Sequence, residues 1–225
     1  MKISGGLYHE LQVRMTYNSS HMEGSRLSKE QTRMIFETNT VEAEDGASVD
    51  DVLETVHHFQ AIDDVIDHAE EELTEDYIRH LHRILKHDTR DSRLDRFAVG
   101  DYKKRENIVG GHETVKPAEV HEAMKELLSR YNGIRNISFE DIVSFHASFE
   151  YIHPFQDGNG RAGRLIALKE CLHYDIVPFI IEDTKKMFYY RGLSKWPHEK
   201  EWLLDTCRDG QDTFKALPDQ LRIPC

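Results

Sequence analysis

The chemistry of this 225-residue chain is concentrated in twelve residues, HPFQDGNGRAGR, which run from His153 to Arg164. A neutral histidine such as His153 can accept a proton near pH 7, and the carboxylate of Asp157 can hold Mg²⁺. Arg161 and Arg164 are three residues apart, so on a helix they project from the same turn. Arginine binds phosphate through two parallel hydrogen bonds, and the set therefore points to a phosphorylated ligand.

The glycines of this stretch indicate an anion site. A glycine-rich turn that leads into a helix presents converging backbone N–H groups, with the positive end of the helix dipole behind them. The candidate nucleotide-binding residues here are Asp157, Gly158, Asn159, Gly160, Arg161, Ala162, Gly163 and Arg164. A polyphosphate cradle with a metal-binding carboxylate and a proton acceptor suits attack by a hydroxyl on a nucleotide phosphate.

Two other motifs share letters with this stretch. The GNGRAG segment fits G-x-G-x-x-G, and Asp183 lies about 20 residues on, but a dinucleotide site needs a strand before the first glycine. The preceding FEYIHPFQD reads as a helix broken by proline. A calcium loop beginning at Asp157 fails because Arg161 stands at its fifth position and Ala162 replaces the glycine required at its sixth.

Helices must position most of these residues. Apolar spacing and capping residues predict helices from Leu7 to the polar TYNSS, from Ser28 to about Phe36, from Ser48 to about Leu73, from Thr74 onward, from Pro117 to about Tyr131, from Ser138 to Pro154, from near Gly160 to Tyr174, and over 183–195 and 198–216. The acidic segment 41–46 is predicted to be a loop. The segment ENIVGGHETV predicts a short β-hairpin or flap. The expected fold class is therefore mostly α, a helical bundle with a small β-hairpin flap.

Composition excludes several classes of protein. The chain has 29 basic and 41 acidic residues, a net charge of −12, which disfavours nucleic acid and anionic membranes as partners. It has no apolar run of membrane-spanning length and no signal-peptide core. The cysteines, Cys171, Cys207 and Cys225, have unrelated spacings, as expected for reduced thiols in the cytoplasm. We expect Cys171 and Cys207 to be core residues.

With every fixed position matched, HPFQDGNGRAGR resembles the Fic (filamentation induced by cAMP) motif, HPFx(D/E)GNGRxxR. The resemblance implies a Fic fold and a protein adenylyltransferase, which moves AMP from ATP to a Ser, Thr or Tyr hydroxyl of a target protein or of itself. It also implies N-terminal helices with an inhibitory motif over 1–40, a catalytic core over 41–195 and a C-terminal helical extension over 196–225.

The resemblance further implies a role for each motif residue. His153 would deprotonate the target hydroxyl, and Asp157 would bind the Mg²⁺ that bridges the α- and β-phosphates. Asn159, between its two glycines, would lie near the α-phosphate. Arg161 and Arg164 would hold the β- and γ-phosphates.

Residues outside the motif are implied as well. Phe155 would anchor the loop in the core, and Tyr189 and Tyr190 resemble a tyrosine pair that lines the adenine, although a core role for either is an equal alternative. The flap would cover the nucleotide and pair with an extended target segment. The flap residues are Ile108, Val109, Gly110 and Gly111.

A second motif near the N-terminus resembles the inhibitory motif of the family, (S/T)xxxE(G/N). It is carried by Ser19, Glu23 and Gly24. The resemblance implies that Glu23 pairs with Arg164 in the place of the γ-phosphate, so that ATP binds with a misaligned α-phosphate. The alternative is a solvated glutamate after a helix end. In some family members this glutamate also helps water to remove AMP, and homo-oligomerisation is a common way to release the inhibition.

Other histidines suggest a rival enzyme, a metal phosphohydrolase of the HD kind. Its ligands would come from His57, His58, His80, His82, His87 and Asp88. Residues one or two apart do not share a helix face, and no carboxylate completes a set, so we interpret these histidines as surface or helix-end residues. His146 and His173, which flank the motif, are interpreted as packing residues.

Two further alternatives concern the motif itself. The chain could be a catalytically silent nucleotide-binding regulator that Glu23 keeps inactive. Binding alone needs no base, however, and His153 is present. The donor could also be UTP or CDP-choline instead of ATP, since the motif does not specify the base.

Overall fold

Nine α-helices and one hairpin account for most of residues 6–42 and 46–220, which the computed structural model describes. The helices are α1 (Leu7–Met22), α2 (Lys29–Thr38), α3 (Val49–Asp67), α4 (Glu75–Lys86), α5 (Val120–Asn132), α6 (Phe139–Ile152), α7 (Asn159–His173), α8 (Lys186–Lys195) and α9 (Lys200–Gln220). Strands β1 (Ile108–Val109) and β2 (His112–Glu113) pair antiparallel. The predicted mostly α fold and its small hairpin are confirmed.

Four of these helices have the N-cap residues that the sequence predicted. The hydroxyls of Ser28, Ser48 and Ser138 each accept a hydrogen bond from the backbone N–H three residues later, and the side chain at that position returns a bond to the serine N–H. These are the capping boxes that fix a helix start. Thr74 caps α4 with a single bond, which its hydroxyl accepts from the N–H of Tyr77.

Three predicted bounds are wrong. Helix α1 continues through the polar TYNSS because Thr16 and Ser19 face the interior and find hydrogen-bond partners there. Helix α3 ends at Asp67 rather than Leu73. Three consecutive glutamates lie between them, and negative charge disfavours a helix C-terminus. Pro117 begins a 3₁₀ turn that precedes α5 rather than α5 itself.

Helix α7 runs through the centre of the fold. Twelve of its residues are buried, and it packs against α1, α3, α4 and α6. Its outer half joins a second apolar cluster with α9, in which Cys171 and Cys207 are buried and free, as predicted. Because the motif loop leads directly into α7, the core itself positions the candidate site. Cys225 lies outside the described residues.

The last two helices pack closely. A Cβ added to Gly192 of α8 would lie 2.7 Å from the Cα of Leu203 in α9, so only glycine allows this approach. Among the described residues, no helix has both the length and the apolar composition needed to cross a bilayer.

Candidate active site

The motif loop is closed by one asparagine. His153 ends α6 in the left-handed conformation (φ 52°), and Gly158 precedes α7 with φ 78°. Between them, the side chain of Asn159 accepts a hydrogen bond from the N–H of Phe155 and donates one to its carbonyl, both at 2.8 Å. The ring of Phe155 is fully buried. The amide of Asn159 is thus engaged in holding the loop, with Phe155 as its anchor.

A buried histidine on α4 supports the same loop. The ring of His82 stacks on Phe155 with centroids 3.8 Å apart. Its Nδ1 accepts from the N–H of Gly100, so Nε2 carries the proton and donates to the carbonyl of Asp157 at 3.0 Å. Burial lowers the pKa of His82 to about 3, so the ring is neutral. The interpretation of this residue as a surface histidine is wrong.

The same correction applies to two more histidines. His57 and His58 of α3 are buried, and the ring of His57 stacks on that of His87 at 3.7 Å. No histidine belongs to the one group of possible metal ligands found among the described residues. Packing explains these rings.

The N-terminus of α7 faces a carboxylate. No described side chain caps this helix, and a Cβ added to Gly160 would lie 2.1 Å from Oε1 of Glu23. The Glu23 carboxylate therefore lies directly over the first turn, where the helix dipole favours a negative group. Only glycine at position 160 leaves room for it.

The same carboxylate binds Arg164. Nη2 of Arg164 donates to Oε1 of Glu23 at 2.7 Å and to the carbonyl of Ser19 at 3.0 Å, and Nε donates to the Ser19 hydroxyl at 2.9 Å. The Arg164 side chain is only 5% exposed. The structure thus places the Glu23 carboxylate on Arg164, while the Glu23 side chain keeps 30% of its surface exposed to solvent. Gly24 follows with φ 99°, where the chain leaves α1.

Arg161 lies in a second charged cluster. Its Nη1 donates to Oε2 of Glu54 at 2.5 Å, and its Nη2 lies 3.5 Å from Oδ2 of Asp157. Nζ of Lys86 donates to Glu54 at 2.5 Å, to Asp91 at 2.9 Å and to Asp157 at 2.7 Å. Sequence reasoning missed Glu54, Lys86 and Asp91. The one signal for them was a lysine on the apolar face of α4.

Asp157 has the properties of a magnesium ligand. Burial raises its pKa, but the charges of Lys86 and Arg161 outweigh that effect and bring the pKa to about 2, so the carboxylate is ionised. The side chain is 47% exposed. Mg²⁺ in proteins commonly takes one or two carboxylates plus substrate phosphates. The residues present therefore fit Mg²⁺ beside the α7 N-terminus.

His153 is poised as a neutral base. Burial, and then the nearby charge of Lys103, lower its pKa to about 4. Nζ of Lys103 donates to Asn107 at 2.9 Å and Thr114 at 2.6 Å, and to the carbonyl of Ile152 at 3.3 Å. Lys103 thus joins the base of the flap to the residue that precedes His153.

The flap itself is exposed. Ile108 and Val109 lie on the surface, and Gly110 and Gly111 form the turn with φ of 57° and 82°. Asn107, at its base, donates to the carbonyl of Phe155 at 3.4 Å. The flap is therefore anchored to the motif loop while its apolar side chains stay free for contact.

The two tyrosines of α8 differ. Tyr189 is 1% exposed, and its hydroxyl is hydrogen-bonded to Nε2 of His146 at 2.6 Å. It is therefore a core residue, and His146 is the packing residue predicted. Tyr190 is 39% exposed and donates to the carbonyl of Met22, next to Glu23. Of the pair, Tyr190 is the one with an exposed ring beside Glu23.

Known proteins are similar to this chain in sequence and in fold. Residues 72–171 match the model of the Fic/DOC family. The "Protein adenylyltransferase Fic" of Aedes aegypti is 28% identical over 191 residues, which is 82% of this chain and 37% of that protein. The chain thus spans little more than a third of the length of that relative.

Two solved structures share the fold. A Fic domain-containing signaling protein from Bacteroides thetaiotaomicron superposes with a TM-score of 0.79 at 23% identity, covering 96% of this chain and 87% of that one. Fic-1 (residues 134–508) from C. elegans gives 0.76 at 20% identity, covering 95% and 64%. At these identities the likeness shows the fold.

Proposed function

We propose that this chain, whose residues 72–171 match the model of the Fic/DOC family, transfers AMP from ATP to a hydroxyl of a protein. The observation that carries the proposal is a neutral His153 beside the uncapped N-terminus of α7, with Arg164 reaching the same place. A base, an anion site and a phosphate-binding guanidinium are the parts that transfer of a nucleotide phosphate requires. The relatives named protein adenylyltransferase support ATP as the donor.

The proposed step is a substitution at the α-phosphorus. The oxygen of a target Ser, Thr or Tyr attacks this atom, the bond to the oxygen bridging the α- and β-phosphates breaks, and pyrophosphate leaves. His153 takes the proton of the hydroxyl. General base catalysis of this kind contributes roughly 10²–10⁴-fold to a rate. The flap supports the geometry, because exposed strand edges at 108–113 can pair with an extended target segment.

The proposed phosphate contacts come from the α7 N-terminus and the two arginines. The backbone N–H groups of Gly158, Asn159 and Gly160 would bind phosphate oxygens, since the Asn159 side chain is occupied with Phe155. Asp157 would hold Mg²⁺, which neutralises phosphate charge when bound. Ala162 and Gly163 are buried in the next turn of α7 and support the cradle from behind.

We further propose that Glu23 inhibits transfer. Its carboxylate takes a position over α7 and on Arg164 that an ATP phosphate would need. Nη2 of Arg164 is already engaged with Glu23, and a phosphate placed there would meet the like charge of that carboxylate, so ATP would have to displace Glu23 or bind with its phosphates shifted. The same carboxylate, placed beside the anion site, could also orient water for removal of AMP from a modified target. Release by homo-oligomerisation and a cytoplasmic location remain predictions.

The test compares wild type, Glu23→Gly and His153→Ala with Mg²⁺ and ATP labelled at the α-phosphate, followed by intact mass. We expect strong labelling and added AMP on Glu23→Gly, little on wild type and none on His153→Ala, which should still bind ATP. The alternative donors, UTP and CDP-choline, are tested in parallel. If no donor labels any variant although ATP binds, the chain is a silent nucleotide-binding regulator and the proposal is wrong.

A further inference from the structure

The ammonium of Lys86 lies where three carboxylates converge. Nζ donates to Glu54 at 2.5 Å, to Asp91 at 2.9 Å and to Asp157 at 2.7 Å. Oxygens from these three residues lie within 4.8 Å of one another, close enough to share a metal ion. The Lys86 side chain is 3% exposed, and its stem lies against Gly158 of the motif loop. The ammonium is thus fixed among groups that could hold a divalent cation.

We propose that Lys86 is a resident cation that keeps Asp157 from binding a divalent metal by itself, so that Mg²⁺ reaches Asp157 only together with the phosphates of a nucleotide. Lys86 acts through Asp157 and is therefore a positioning residue. The inference rests on the proposed function only for the identity of the nucleotide.

The charge balance of the cluster supports this order of binding. Three carboxylates face two cations, Lys86 and Arg161, which leaves one negative charge. A divalent ion alone would turn the cluster net positive around two buried cations, Lys86 and Arg161, where uncompensated charge is costly. When the same ion is bound to a polyphosphate, the phosphates supply negative charge and that cost is avoided.

Removing the ammonium of Lys86 makes the net charge of the cluster more negative. A Lys86→Met side chain has similar length and no charge, so three carboxylates would then face Arg161 alone. The net charge of minus two would match one divalent ion, with carboxylate oxygens already grouped around it. Hard divalent cations prefer such oxygen ligands. Lys86→Met should therefore gain a metal site that wild type lacks.

The experiment measures Mn²⁺ binding without nucleotide, from the EPR signal of free Mn²⁺, for wild type, Lys86→Met, Lys86→Arg and the double variant Lys86→Met/Asp157→Asn. We expect Lys86→Met to bind Mn²⁺ at least about tenfold more tightly than wild type. Lys86→Arg keeps the charge and should behave as wild type. The double variant should lose the gain, which assigns the site to Asp157. A purely structural role for Lys86 would not produce this pattern.

Two outcomes would overturn the proposal. The first is a folded Lys86→Met protein, checked by circular dichroism, that binds Mn²⁺ no more tightly than wild type. The second needs no Lys86 variant: nucleotide-free wild type that binds Mn²⁺ tightly, with the binding lost in Asp157→Asn. Neither readout involves AMP transfer, so failure of the proposed activity would leave this result interpretable.

Discussion

Glu23 and Arg164 are 141 positions apart in the sequence and 2.7 Å apart in the structure. An ion pair between two exposed side chains stabilises a protein by only about 0–1 kcal/mol. This pair differs, because Arg164 is almost fully buried. Its guanidinium is paired with Glu23 in the structure, and in the proposed mechanism a phosphate of the nucleotide takes that place. If Glu23 inhibits as proposed, inhibition and nucleotide binding are linked through this one side chain.

Ser19 should contribute a measurable part of the inhibition. Ser19→Ala removes the hydroxyl that accepts from Nε of Arg164, a loss of ~1–2 kcal/mol, or about five- to thirtyfold, if all of it loosens the clamp. We expect AMP transfer to rise, though less than in Glu23→Gly, in the assay with α-labelled ATP. Ser20→Ala is the matched control, since Ser20 is buried on the same turn. Equal rates for the two serine variants would remove Ser19 from the inhibitory contact.

The pH dependence of transfer should follow His153. Because burial and the charge of Lys103 lower its pKa from 6.5 to about 4, His153 stays neutral at all higher pH. In a Glu23→Gly background, the rate should be independent of this group at neutral pH and fall only as the pH approaches about 4.

Replacing Lys103 should shift the pH at which the transfer rate falls on the acid side, the acid limb of the pH profile. Lys103→Met removes a positive charge that opposes protonation of His153, so the pKa rises and the rate begins to fall at a higher pH. Thr114→Val is the control, because it removes a hydrogen-bond partner of Lys103 and keeps the charge. An acid limb that moves equally in both variants would point to the flap instead of the charge.

Glu54 should be needed for stability. Glu54→Gln leaves Lys86 and Arg161, whose side chains are 3% and 4% exposed, with less compensating charge. We expect a loss of roughly 2–4 kcal/mol in the free energy of unfolding, measured by urea denaturation. Glu201→Gln breaks an exposed pair with Arg208 and should change it by less than about 1 kcal/mol. Similar values for the two variants would refute a structural role for the buried cluster.

Gly192 should be intolerant of a side chain. An added Cβ would meet the backbone of Leu203 at 2.7 Å, and forced repacking of a tight contact costs about 1–3 kcal/mol. Gly192→Ala should therefore lower the urea midpoint. Gly133→Ala, at the exposed end of α5 with φ −79°, is the comparison and should have the smaller effect. The reverse order would mean that α8 and α9 can separate freely.

Local sequence patterns were enough to predict features whose interacting residues lie within a few positions of one another. The capping serines fixed the starts of α2, α3 and α6 because a capping box involves only four positions. The motif loop was predictable for the same reason, since His153, Asp157 and the α7 N-terminus are near neighbours in sequence. The contact between Glu23 and Arg164 was predicted over a long distance, but only through the resemblance to a known motif.

The charged cluster was not predictable, because its partners are distant in sequence. Glu54 meets Arg161 from 107 positions away, and Lys86 meets Asp157 from 71. Nothing in the periodicity of α3 or α4 says which residues of another helix will face them. His82 was misjudged for a related reason: its partners, the ring of Phe155 and the carbonyl of Asp157, come from a segment more than 70 positions away.

Glu23 is the C-cap residue of α1, and backbone hydrogen bonds run from Glu23 and Gly24 to Ser20 and His21. Helix ends fray, and such local opening has a free energy well below that of global unfolding. If Glu23 inhibits as proposed, residual activity measures how often this last turn unwinds. Warming should then raise the wild-type rate more steeply than that of Glu23→Gly, which would make the end of α1 a thermometer for the reaction.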